Sequence, residues 1–345
     1  MGILPISEKY KISLLFLGIG LATLVAFLLS ATVSKLSFEL AGLGLVAYVF
    51  GLRHGVDADH IAAIDNTTRK MMHEGKRPLT VGTWFSLGHS TVVIALVVVL
   101  AISTRAIIGA VPSLESAGSI TGTLISGSFL WLMGFINVTI VLGIYRVFKQ
   151  MEQGNLDQSR LEKLLEDRGF MYRYFGRFFK VINKPWQLYP VGVLFGLGFD
   201  TASEVALIAI SVGVSVTQSV SIWIVLVLPF MFTCGMVLVD TFDAVSIRIA
   251  YGWAFLKPIR KIYYNLTITL ISVLVAFLIG GVELLQVLSS ELNLNGSFWR
   301  WLVTLNFENL GYGILAIFLT SWLFSVGYYY ARYRRLEDRL VPHLT

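Results

Sequence analysis

Fourteen residues of this chain, Arg53-His54-Gly55-Val56-Asp57-Ala58-Asp59-His60-Ile61-Ala62-Ala63-Ile64-Asp65-Asn66, combine two imidazoles with three carboxylates. Imidazole with carboxylate is the ligand set that suits a borderline divalent transition metal. The run lies in and at the end of a stretch otherwise apolar enough to cross a bilayer. An ionisable residue at mid-membrane costs roughly 2.5–3.5 kcal/mol on insertion scales. The cluster must therefore face a polar cavity, its own members or an ion. On a continuous helix, His54, Asp57 and His60 drift along one face and Asp65 returns almost to the angle of His54. Asp59 then points elsewhere. Gly55 offers a place for local unwinding, which would let both histidines converge with Asp57 and Asp59.

Further polar groups interrupt other apolar runs. His89 stands in Gly88-His89-Ser90-Thr91; alone it would read as a packing residue. Asp200 and Glu204 are four apart, so they share a helix face. Asp240 and Asp243 are three apart, with Thr241 between them. Either acidic pair alone could compensate Arg53 or fasten a helix contact. Seven carboxylates (Asp57, Asp59, Asp65, Asp200, Glu204, Asp240 and Asp243) exceed what one arginine needs. The joint expectation is a metal site of His54, Asp57, Asp59, His60 and His89. A cation pathway would continue through Arg53, Asp65, Asn66, Asp200, Glu204, Asp240 and Asp243. The single cysteine, Cys234, excludes internal disulfides and a thiolate-rich cage.

The elements that must position these residues are membrane helices. Of the 345 residues, 56% are hydrophobic and 14% charged, with a mean hydropathy of +0.74. A soluble domain carries roughly 25% charge. The reading is an all-α polytopic membrane protein with one domain over 1–345. Apolar segments of spanning length fall at about 12–34, 38–64, 79–103, 118–146, 188–213, 219–246, 262–288 and 308–332, which makes eight spans. The first run lacks a cleavage site and reads as a retained span. With a cytoplasmic N-terminus, only Lys35, Arg105 and Arg300 fall outside and Arg53 within a span; every other Lys and Arg lies in a cytoplasmic segment. Both termini are thus expected inside. The basic residues, which give a pI near 9.3, mark orientation and contact with anionic lipid rather than nucleic acid. The one long loop, about 147–187, holds an amphipathic pattern at Arg160–Arg168 that suits the membrane surface. The chain has no G-x-x-x-x-G-K-[ST] run and so no P-loop ATPase of its own; transport would be secondary unless a separate subunit supplied energy, and no ATPase subunit is expected.

Phe50-Gly51-Leu52 precedes the charged cluster, and Phe195-Gly196-Leu197 precedes Asp200-Thr201-Ala202-Ser203-Glu204. Superposing the triplets places Asp59 over Glu204. The two spans cross in opposite directions, so the echo predicts an inverted repeat of spans 2–4 and 5–7, a common transporter plan.

At these residues the chain resembles the nickel/cobalt transporter family, NiCoT. The family's R-H-A-x-D-A-D-H-I element stands here as Arg53 to Ile61, with Gly55 in place of alanine. Three more of its motifs follow in order: Leu87-Gly88-His89-Ser90-Thr91-Val92-Val93, Leu197-Gly198-Phe199-Asp200-Thr201-Ala202-Ser203-Glu204 and Gly235-Met236-Val237-Leu238-Val239-Asp240-Thr241-Phe242-Asp243. Ser203 replaces a frequent threonine. The resemblance implies secondary uptake of Ni²⁺, Co²⁺ or both across the cytoplasmic membrane, with the metal as substrate and no cofactor. It implies that His54, Asp57, Asp59 and His60 form the recognition element. Nickel against cobalt, proton coupling and oligomeric state stay open, and efflux is the alternative direction. A metalloprotease would want H-E-x-x-H, which is missing, and haem between two histidines would want apolar surroundings.

Overall fold

The structure, a computed structural model, describes residues 6–34, 38–102, 111–152, 182–198, 204, 206–208, 210–211, 225–254 and 258–328. Every regular element among them is helical. In chain order these are α1 (Ile6–Ser34), α2 (Phe38–His54), α3 (Ala58–His73), α4 (Val81–Ile102) and α5 (Val111–Glu152). A short 3₁₀ turn at Pro185–Gln187 leads into α6 (Leu188–Phe195). Then follow α7 (Val227–Ala254), α8 (Pro258–Glu291), α9 (Ser297–Val303) and α10 (Phe307–Tyr328). Most of the predicted loop 147–187, including Arg160–Arg168, lies outside the described residues.

Five segments are long and apolar enough to cross a membrane: Ile6–Thr32, Val81–Val99, Gly118–Arg146, Val227–Ala250 and Leu266–Glu291. Asn309–Phe324 is a shorter apolar helix. Their outer faces carry leucines at helical spacing, such as Leu270, Leu274 and Leu278 on α8, all exposed as lipid-facing side chains would be. The protein is an integral membrane protein.

The stretch of the second expected span, 38–64, is not one continuous helix. It is two helices joined by a break, and the second runs on to His73. The N–H groups of Gly55, Val56 and Asp57 bond to the carbonyls of Gly51, Arg53 and His54, tightening the last turn of α2. Asp57 is extended (φ −62°, ψ 145°), and its Oδ1 accepts from Ala58 N–H at 3.0 Å. That carboxylate caps α3 and satisfies one donor that a helix start leaves open. Although α3 carries several charges, it is buried along almost its whole length. Arg69 and Lys70, expected in a cytoplasmic segment, lie inside the packed protein at 3% and 0% exposure. Each has an anionic partner within the same helix or its cap, Asp65 for Arg69 and Glu74 for Lys70, which makes their burial tolerable. Lys70 Nζ also donates to the Ile182 carbonyl.

Packing follows three close pairs: α2 against α7, α4 against α6, and α5 against α8, with α7 also crossing α4. Glycine permits the first two. A β-carbon at Gly51 would fall on the Phe232 carbonyl of α7, and one at Gly192 on the Phe85 carbonyl of α4. Small residues let backbones approach where no hydrophobic force drives helices together. The fifth expected span, 188–213, is interrupted as the second is: α6 ends at Phe195 and Gly196–Gly198 form turns.

Candidate metal centre

The break after α2 is what assembles the site. His54 closes α2, His60 lies in the first turn of α3, and His89 faces both from α4. Their ring centroids are 4.6 Å (His54–His60), 4.8 Å (His54–His89) and 4.9 Å (His60–His89) apart. One ligand atom from each can be chosen so that all lie within 4.8 Å of one another. The three residues are 1%, 0% and 2% exposed.

Two carboxylates close on the triad. Glu204 Oε1 is 2.5 Å from His89 Nε2 and 3.6 Å from His54 Nε2. These two imidazole nitrogens are themselves 3.1 Å apart. Asp240 Oδ2 lies 3.2 Å from His60 Nδ1 and accepts from Ser86 Oγ at 2.5 Å. When Asp240 is ionised it can only accept, and Nδ1 of His60 then carries the proton while Nε2 keeps its lone pair. His60 Nε2 has no hydrogen-bond partner among the described residues. A carboxylate that fixes the tautomer and leaves the far nitrogen free is the usual support of a metal-binding histidine. Asp57 Oδ2 lies 3.6 Å from His54 Nδ1, a close charge that is longer than a hydrogen bond.

An ion about 2.1 Å from each nitrogen requires donor pairs no wider than ~4.2 Å. Shifts of under about an ångström would therefore complete a cage of three imidazoles, with Glu204 as a fourth donor. Borderline N/O ligands of this kind suit Ni²⁺, Co²⁺ or Zn²⁺ and not Cu⁺. Cys234 is buried in an apolar cluster with Met236.

Of the remaining expected residues, Asp59 lies within electrostatic reach of His60 and His89. Asp59 is half-buried and accepts from the His60 backbone N–H at 2.8 Å. Arg53 is exposed. Asn66 belongs to a polar knot: its amide donates to Ala62 O at 2.8 Å and Ser272 O at 3.3 Å, and its Oδ1 accepts from Asn137 at 2.7 Å. Both Asp65 oxygens accept from Arg69 Nε, at 2.8 and 3.0 Å. Asp243 lies within electrostatic reach of Asp65, Asp240 and Arg69. Asp200 lies outside the described residues. Sequence reasoning passed over Ser86, Asn137 and Ser272. Only Ser86 had a visible signal, a hydroxyl one helical turn before His89.

Comparison with known proteins follows the same lines. The family described as NicO, high-affinity nickel-transport protein, matches residues 40–327. The chain is 48% identical over 305 residues to the nickel transporter NicT of Mycobacterium tuberculosis, covering 87% of this chain and 81% of that one. It is 43% identical over 338 residues to a high-affinity nickel transport protein of Cupriavidus necator, covering 96% and 94%. The cobalt transport protein NhlF of Rhodococcus rhodochrous is 35% identical over 290 residues, covering 82% and 81%. No solved structure matches.

Proposed function

The chain belongs to the NicO family of high-affinity nickel-transport proteins, and from that premise we propose that it imports Ni²⁺ through the His54–His60–His89 centre. The observation that carries the assignment of the site is the buried triad itself. Three imidazoles from three helices are held together with two carboxylates, and His60 presents a nitrogen with no hydrogen-bond partner among the described residues. A dehydrated divalent ion supplies what this arrangement lacks. His54, His60 and His89 would give nitrogen, Glu204 oxygen and charge, and Asp57 and Asp240 orientation. Co²⁺ fits the same donors, and a cobalt transporter among the relatives supports it as a second substrate.

The eight-span reading places both termini on the cytoplasmic side of the cytoplasmic membrane. Its inverted repeat is supported by the packing. Exchanging spans 2, 3 and 4 with 5, 6 and 7 turns the α2–α7 contact into the α6–α4 contact and maps α5–α8 onto itself. Both Phe-Gly-Leu triplets sit at a helix break beside a Gly-to-backbone approach. Sites at such broken helices are the transporter pattern in which two halves rock about a fixed centre.

Cells expressing the chain should accumulate radiolabelled Ni²⁺ from nanomolar solution, and His54→Ala at equal abundance should not. Import undiminished in the variant would remove His54 from the site. Absence of import by the unaltered chain at normal abundance would overturn the transport direction.

A further inference from the structure

Beyond the triad and the Asp240 that supports it, α3 and α7 carry further charges, Asp65, Arg69 and Asp243, that the binding site does not use. From His60, Asp65 is about 7.5 Å and Arg69 about 13.5 Å further along α3. On α7, Asp240 touches His60, and Asp243 is about 4.5 Å onward. Both helices run toward one end of the molecule. Glu8, at the start of α1, accepts from Arg77 just past α3 at 2.9 Å and from Arg248 further along α7 at 2.7 Å. On the proposed topology that basic end is the cytoplasmic one. The carboxylates Asp240, Asp243 and Asp65 thus descend from the triad toward the side where an imported ion must leave.

A cation already occupies this ladder. The Arg69 guanidinium is clamped by Asp65, which also accepts from Ser272, and lies 5.8 Å from the Phe318 ring of α10. Two buried oxygens of the ladder, Asp240 Oδ1 and Asp243 Oδ2, have no hydrogen-bond partner among the described residues. Asp240 is fully buried. The set is oxygen-only, so it holds a borderline metal more weakly than imidazoles do. It suits release rather than capture.

We propose that Arg69 is the tethered cation that closes the release route, occupying an Asp65–Asp243 station that the divalent ion takes when the guanidinium withdraws. This rests on the import reading above. The lock needs no ligand of its own, since one cation substitutes for another on the same carboxylates.

The test measures bound Co²⁺ per purified chain, and Ni²⁺ uptake, in the unaltered protein, in Arg69→Gln, and in the paired Asp65→Asn/Arg69→Gln. The unaltered protein should bind a single ion at the triad. Arg69→Gln should bind a second and lose import, because its station is open and the ion is not let go. The neutral pair should return to one ion and still lose import, having neither lock nor station. It also covers the case in which Arg69→Gln alone misfolds from an unbalanced Asp65. Import by the neutral pair at the unaltered rate would reduce Arg69–Asp65 to a structural ion pair and overturn the proposal. An unaltered chain that neither binds nor imports would instead refute the import reading.

Discussion

At the residue scale, the site depends on carboxylates that hold imidazoles in one tautomer. Asp240 Oδ2 lies in hydrogen-bond reach of His60 Nδ1 and itself accepts from Ser86. Loss of such an orienting group costs about 10–100-fold in metal affinity. Asp240→Asn should show that loss in Co²⁺ titrations of purified protein, and Ser86→Ala a smaller one. Equal affinity in Asp240→Asn would mean that His60 does not ligate. The proposed ligands were legible to unequal degrees. His54 and His60 announced themselves by type and spacing. Glu204 was visible as a pathway carboxylate paired with Asp200 and as the counterpart of Asp59 in the echo of Phe50-Gly51-Leu52, not as a partner of two histidines. The two then diverge, since Glu204 meets two imidazoles while Asp59 turns back to its own helix start. A spacing rule gives angles on a helix, and it cannot anticipate which carboxylate the first turn of a new helix will claim.

At the element scale, the break at Gly55–Asp57 is the feature on which the site turns. Gly55 flagged it, but the extent of α3 did not follow from hydropathy. Arg69, Lys70 and Glu74 look like a solvated loop in one dimension, and only their pairing within three dimensions buries them. The same limit hides Asn66 with Asn137 and Ser126 with Glu283, whose members are 71 and 157 positions apart. Asp57 serves both structure and site, and two substitutions separate the roles. Asparagine caps a helix about as well as aspartate, whereas alanine at an N-cap costs ~1 kcal/mol. Asp57→Asn should therefore keep thermal stability and weaken metal binding by removing the charge near His54. Asp57→Ala should lose both, read by melting in detergent beside metal titration. If asparagine also lowers stability, the carboxylate charge holds α3 in place by more than its cap.

At the scale of the whole molecule, the fixed charges decide what drives import. Asp57, Glu204, Asp240 and the Asp65–Arg69 pair return to their starting positions after each turnover, so the net charge moved is that of the ion. A charge crossing a membrane potential gains about 2.3 kcal/mol per 100 mV, hence a divalent ion gains about 4.6 kcal/mol. At ~1.4 kcal/mol per decade, that sustains roughly a thousandfold accumulation without a second ion. The chain in liposomes with an imposed potassium diffusion potential, inside negative, should raise internal Ni²⁺ about tenfold for every ~30 mV. If a proton leaves for each ion taken in, one charge moves, and at equal pH on the two sides the same tenfold needs ~60 mV. Exchange for two protons would remove the dependence altogether and hand the driving force to the pH gradient. The buried carboxylates beside His60 and His89 would then be proton carriers as well as orienting groups, so the slope also separates those two roles.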